Sequence, residues 1–426
     1  MTYAIMLGAF VILLFLGAPI ALSLGMSSLL AILYNGTGIN VIAGQIYGGI
    51  GKYLLLAVPF FVLSGNIMAK AGISDRLIAF IDALLGHLRG GIAMVCVVVA
   101  CFFGAISGSG AATVAALGVI LIPAMIEREK FSDPFAHGVV AAASSIAVII
   151  PPSISFVIYA SLTGVSVGDI FVAGILPGVI MGVAMIIVVQ IYAHKHHLKP
   201  AHPWKGWREV WRTFKSAFWG LLMPVIILGG IYGGIFSATE AAAVAAVYGL
   251  FVGTVIYKKL KWKDIVELLY DTAKSTGGLM LIIGGATIFS YACTRYGIST
   301  SVQALLENCG KGGFLVIVNI VLLIAGCFMD ANSNMYIFVP IMYPVARAFG
   351  IDPVHFGMIC TVNLAIGQFT PPVGTNLFVA SSLRIPGHRV GVEDVAKACL
   401  PMIAAAVLVL LLVTYVPQVT TCLIGA

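Results

Sequence analysis

A chain of 426 residues that is 61% hydrophobic and only 9% charged, with a mean hydropathy of +1.09, cannot cover a water-facing surface. Its net charge of +7, from 23 basic and 16 acidic residues, does not mark a nucleic-acid binder, because the cations cluster in short segments between apolar runs. Eight cysteines show neither CxxC nor metal-ligand spacing and read as small core residues. A bilayer core of ~30 Å needs about 20 helical residues per crossing, and apolar runs of that order recur throughout, so the chain is an all-α polytopic membrane protein.

The first apolar runs are 3–16, 18–34 and 47–69. The next, 91–126, holds no charged residue, yet its middle reads GAISGSGAAT (104–113). Glycine and serine at that density suit the tip of a helical hairpin enclosed by protein, not a lipid-facing helix. A run at 136–162 is then interrupted by Pro151 and Pro152. Proline lacks an N–H and frees the carbonyl four residues earlier, so Ala147 and Val148 lose their helical partners and the span is broken halfway. The second half begins near Ser153 and Ser155, where a half-helix N-terminus favours an anion, while freed carbonyls favour a cation. A span at 170–192 closes this part of the chain.

The segment HKHHLKPAHPWKGWREVWRTFK (194–215) carries six Lys and Arg residues and should be cytoplasmic. Trp204, Trp207, Trp211, Phe214 and Phe218 form one helical stripe within it, so a helix starting at Pro203 is expected to lie in the membrane interface. His194, His196, His197 and His202 have no carboxylate or thiol pattern beside them and read as solvated.

Runs at 218–236 and 240–257 lead to a second basic segment, KKLKWK (258–263), followed by 277–294. The stretch 314–348 is interrupted by GCFMDANSNMY (326–336), in which Asp330, Asn332, Ser333 and Asn334 are polar and Asp330 is the only charge between Gly312 and Ala346. A carboxylate at mid-membrane costs ~2.5 to 3.5 kcal/mol even on a lenient scale, so this is read as a second hairpin tip with a functional role. In 355–383, Pro371 and Pro372 free Gly367 and Gln368, and the second half-helix begins near Gly374, Thr375 and Asn376. A last run spans 398–418.

The double prolines lie 220 positions apart (371 minus 151), and other matches share roughly that offset: KAGIS (70–74) with RYGIS (295–299), SDPFAHG (132–138) with IDPVHFG (351–357). The chain therefore divides into a first repeat, 1–193, an interfacial linker, 194–217, and a second repeat, 218–426. Each has a re-entrant hairpin (91–126, 314–348), a broken helix (136–162, 355–383) and five crossings in all. An odd repeat must be inverted; the basic segments then fall inside and both termini outside, in the periplasm. Two tips facing two breaks would make two pseudo-symmetric cation sites with an anion site between. Arg295, the only charge between Lys274 and Glu307, either pairs a substrate carboxylate or anchors a helix end at the headgroups. Lys70 is its equivalent in the first repeat.

GSGAAT, SSIAVIIPPS, GQFTPPVG, SVGDIFVAGILPG and MDANSNMYIFVPI, in this order along nearly the whole chain, resemble the large membrane subunit of TRAP (tripartite ATP-independent periplasmic) transporters. The resemblance implies sodium-coupled import of an organic acid, of the sialic acid or C4-dicarboxylate class, across the bacterial inner membrane by an elevator motion. It implies two partners, a small four-helix membrane subunit, expected as a separate chain, and a periplasmic substrate-binding protein. It also places sodium ions, at least two, at Ser107, Gly108, Ser109 and Gly110 with the break at Ala147 and Val148. The second place is Asp330, Asn332, Ser333 and Asn334 with Gly367, Gln368 and Thr370. No organic cofactor is expected. The rival readings, a membrane-embedded enzyme or an ion channel, find less support: His137 and His355 lie near span ends without a catalytic partner in sequence.

Overall fold

The computed structural model describes residues 2–424 except 299, 301–303 and 305–308. Among these residues the chain is built of helices, eight of them long and apolar enough to cross a membrane. The first repeat opens with α1 (Thr2–Phe15), α2 (Ile20–Tyr34), α3 (Asn40–Ile50), α4 (Ala57–Lys70) and α5 (Ile73–Leu85). The hairpin arms α6 (Gly91–Ser107) and α7 (Gly110–Glu129) follow, then the broken pair α8 (Asp133–Ser145) and α9 (Ile154–Thr163), and the long α10 (Val167–Lys195).

Next come α11 (Trp207–Tyr232), α12 (Ala238–Phe251) and α13 (Trp262–Arg295). The second hairpin is α14 (Gly310–Phe328) and α15 (Ala331–Ala348), the second broken pair α16 (Pro353–Gly367) and α17 (Thr375–Ser382). The described chain ends in α18 (Val392–Tyr415) and α19 (Gln418–Thr421). Starts follow local chemistry: Ser166 caps α10, Asp352 caps α16 ahead of a proline in the first turn, and Ser237 with Glu240 forms a capping box on α12.

The core lies where the two broken helices meet. Residues 136–149 and 354–369 are buried without exception, because α8 and α16 are each ringed by other helices. Both hairpins close at their bases: Glu129 accepts the Ile92 N–H at 3.1 Å, and Phe314 packs on Phe349 with ring centroids 5.5 Å apart. The bases lie at opposite ends of the bundle. Near the first, Gln190 at the end of α10 donates to the Arg89 carbonyl. Near the second, His355 meets Thr420 beyond the far end of α18 at 2.8 Å. The hairpins thus enter from opposite ends and meet tip to tip, which is the relation an inverted repeat requires.

Three features depart from the sequence reading. The linker helix begins at Trp207, not Pro203, and runs unbroken to Tyr232, so aromatic stripe and span are one rod. Phe214 does not face lipid alone but packs on Phe80 of α5, with ring centroids 5.5 Å apart, while Trp207 and Trp211 stay exposed. The helix α5 was not anticipated: ISDRLIAFIDALL buries Ile73, Leu77 and Ile81, and a Cβ at Gly220 of α11 would lie 2.5 Å from Ile73. Likewise α13 takes in the polar stretch before 277 and reaches 34 residues, about 51 Å at 1.5 Å per residue.

Candidate functional site

The two tips are built alike from different residues. In the first, α6 ends on Gly108 in the left-handed region (φ 58°), Ser109 caps α7, and Thr113 Oγ1 donates to the Ser109 carbonyl at 2.8 Å. In the second, Asp330 caps α15, its Oδ2 accepting the N–H groups of Asn332 (3.0 Å) and Ser333 (3.2 Å), and Asn334 Nδ2 donates to the Asp330 carbonyl at 3.1 Å. Ser333 Oγ donates to the other Asp330 oxygen. Asp330 is thus a helix cap as well as the one charge at the tip.

Each tip is pressed onto the break of its own repeat. A Cβ at Gly104 would lie 2.4 Å from the Ala147 Cα, and one at Gly367 would lie 2.5 Å from the Gly326 backbone, the same contact made twice. The Gly374 N–H donates to the Cys327 carbonyl at 2.8 Å. Each tip also faces the break of the other repeat: Ser155 Oγ donates to Asn332 Oδ1 at 2.8 Å, and Gln368 and Asn376 crowd against Gly110.

Between them lies a cavity of about 160 Å³ lined by Gly108, Ser109, Gly110, Val148, Ser155, Asp330, Asn332, Gln368 and Thr375, with Ala111 and Ala331. Four helices, α7, α9, α15 and α17, start at its wall. A helix N-terminus carries partial positive charge and favours an anion, though at α7 and α15 the Ser109 hydroxyl and the Asp330 carboxylate already accept some of those N–H groups. Asp330 is the only charged side chain in the lining. The sequence reading expected helix N-termini here only at the half-helices α9 and α17; the hairpin arms α7 and α15 bring two more, which the cap patterns at Ser109 and Asp330 could have revealed.

The remaining expected residues stand behind this wall. Ser107, Ala147, Ser153, Ser333, Asn334, Gly367, Thr370, Gly374 and Asn376 belong to the tips and breaks but do not line the cavity. The freed carbonyls are largely occupied. Val148 accepts from Ser153 Oγ at 2.7 Å, Gln368 from the Asn376 N–H at 2.8 Å, and Gly367 from the Thr370 N–H at 3.1 Å. What does lack a donor is one fully buried amide oxygen near each tip, Asn334 Oδ1 and Asn376 Oδ1. Their orientation is set by the other end of the amide, which donates to backbone carbonyls in both cases. Buried oxygens without donors are costly in an apolar interior and are the ligands a hard cation takes.

Arg295 is exposed at the end of α13 and does not line the cavity. Lys70 is tied to α13 by Glu267 (2.5 Å) and Asp264 (3.5 Å) and is a bridge between two helices. Also unforeseen is a buried polar chain across α14, α16 and α18, with Asn363 Nδ2 donating to Asn319 Oδ1 at 2.8 Å and Asn319 Nδ2 to Thr414 at 3.2 Å. Such a chain holds helices together where apolar contact has no competing solvent.

Residues 7–419 match the family model of the tripartite ATP-independent periplasmic transporter, DctM component. The chain is 41% identical over 429 residues to the C4-dicarboxylate TRAP transporter large permease protein DctM of Vibrio cholerae, covering 95% of this chain and 93% of that one. It is 38% identical to the sialic acid TRAP transporter large permease protein SiaM of the same organism (96% and 95% covered). With the isethionate TRAP transporter permease protein DctMQ of Oleidesulfovibrio alaskensis it shares 40% identity, covering 97% of this chain and 65% of that one. Among solved structures, the Alcanivorax borkumensis YdaH transporter superposes with a TM-score of 0.62 at 14% identity, over 92% of this chain and 90% of that one, a likeness of fold.

Proposed function

Since this chain belongs to the DctM family of tripartite ATP-independent periplasmic transporters, as a multi-pass large permease of the inner membrane, we propose that its central cavity carries a small organic acid driven by sodium. The observation that carries this reading is the meeting of four helix N-termini around one cavity whose single charge, Asp330, is negative. N–H groups favour the substrate's carboxylate or sulfonate; Asp330 and the donorless oxygens of Asn334 and Asn376 favour a cation on either side of it. The two ligands then lower each other's electrostatic cost of leaving water, which is a physical route to coupling. A cavity of about 160 Å³ is small beside the 300–1,000 Å³ usual for drug-sized ligands, and so suits a C4-dicarboxylate or isethionate better than a nine-carbon sugar acid.

Membership of a tripartite transporter family supports a small membrane subunit and a periplasmic binding protein as partners of this chain, the latter delivering the substrate. Tips and breaks of both repeats interlock around the cavity, so α6–α9 and α14–α17 are suited to move as one body past the other spans, an elevator motion. With at least two sodium ions per monoanion, net positive charge enters, and each unit charge contributes about 2.3 kcal/mol per 100 mV. Uptake of a C4-dicarboxylate or isethionate by the reconstituted complex should rise sigmoidally with sodium. For monoanionic isethionate it should also increase with an inside-negative potential. Full uptake in sodium-free buffer would remove sodium coupling from the proposal; flux without saturable counterflow would point to a channel.

A further inference from the structure

A groove of about 850 Å³ lies between α10 and α18 and shares no lining residue with the transport cavity. Its walls are apolar along most of their length, and Ile187, Ile191 and Leu408 are each more than half exposed. One end is different: Lys195, His196 and Lys397 line it, with the hydroxyls of Ser132 and Tyr192 beside them. These groups share one end of the bundle because Ser132 meets Tyr192 of α10 at 3.0 Å while the adjacent Asp133 meets His388, just before α18, at 2.8 Å. It is the end that carries the basic linker.

We propose that this groove binds an anionic phospholipid of the leaflet on the basic side, its phosphate between Lys195, His196 and Lys397 and an acyl chain along the two helices. Length agrees: Ala184 to Lys195 and Lys397 to Leu412 rise about 17 and 23 Å at 1.5 Å per residue, against ~15 Å for half the hydrocarbon core. Charge agrees as well. Among the described residues neither lysine forms an ion pair; Asp133 is engaged by His388, and Glu393, one turn before Lys397, lines the adjoining groove together with it but does not pair with it. Two lysines outside any ion pair at the basic end attract an anionic lipid, and the tyrosine hydroxyl and ring suit the interface between headgroup and chain.

The test is native mass spectrometry of the purified full chain after exchange with vesicles of phosphatidylglycerol or of phosphatidylcholine bearing the same acyl chains. Phosphatidylglycerol should be retained at least about tenfold better. The double variant Lys195→Gln, Lys397→Gln should lose that preference while still holding either lipid weakly. Ala405→Trp, which fills the groove, should displace both. Equal retention of the two lipids by the wild type, or an unchanged preference in the double lysine variant, would overturn the proposal. Because the lysines are exposed, the double variant should fold, and it decides the matter even where the tryptophan variant does not.

Discussion

Asp330 does two things at once, and two substitutions separate them. Its carboxylate caps α15, and caps of this kind contribute about 1 kcal/mol. Asparagine is as good a cap but carries no charge. If the charge balances a bound cation, Asp330→Asn should abolish sodium-driven uptake in proteoliposomes while thermal stability in detergent stays near wild type. Asp330→Ala should lose both uptake and about 1 kcal/mol of stability. Uptake preserved in Asp330→Asn would leave Asp330 a structural cap. The sequence pointed to this residue through the cost of a lone carboxylate in an apolar run. It did not disclose that Asn334 and Asn376 each keep an amide oxygen without a donor, because that depends on what the rest of each side chain touches.

Among the elements, the contact between hairpin arm and broken helix is the one both repeats preserve. Gly104 meets the Ala147 backbone, with no flexible side chain to yield: an added Cβ would sit 2.4 Å from Cα. Gly104→Ala should therefore lower stability by about 1–3 kcal/mol and depress transport. Gly278→Ala in α13, where a Cβ meets nothing within 4 Å, is the control; helix propensity predicts it to be neutral or stabilising. Thermal unfolding of the two variants side by side checks this, and an equal response would mean that the close approach is not required. Helix starts at this scale were legible where a cap residue preceded an apolar run. The helix α5 was not, since its 13 residues are too short for a span and it becomes one face of a pair only with α11 beside it.

For the molecule as a whole, the decisive question is whether tips and breaks move together. A Cβ on Gly65 of α4 would lie 3.2 Å from Ser107 Cβ and 2.9 Å from its Cα, a little closer than a disulfide needs, so the bond forms once the two helices give by a few tenths of an ångström. In a background without other cysteines, oxidising Gly65→Cys, Ser107→Cys should stop transport, and reduction should restore it. A link inside the proposed mobile body is the counterpart. Asn319→Cys with Asn363→Cys would join α14 to α16, whose amides already meet at 2.8 Å, and that bond should leave transport largely intact. Transport that survives complete oxidation of the 65–107 pair would exclude an elevator and favour local gating around a fixed site.

Composition and pattern alone determined the class, the hairpins, the broken helices and their pairing at a 220-residue offset. They could do so because a membrane leaves few ways to satisfy a backbone, and every polar or proline-broken stretch in an apolar run must be enclosed by protein. Family membership was legible for the same reason: its motifs are these interruptions. What only the tertiary structure decided is how the interruptions face one another. That four N-termini share one cavity, that the freed carbonyls are mostly taken, that Arg295 stands outside and that α10 and α18 enclose a basic-ended groove all depend on contacts between residues far apart in the chain. Periodicity reports the face a helix buries, not the neighbour it buries it against.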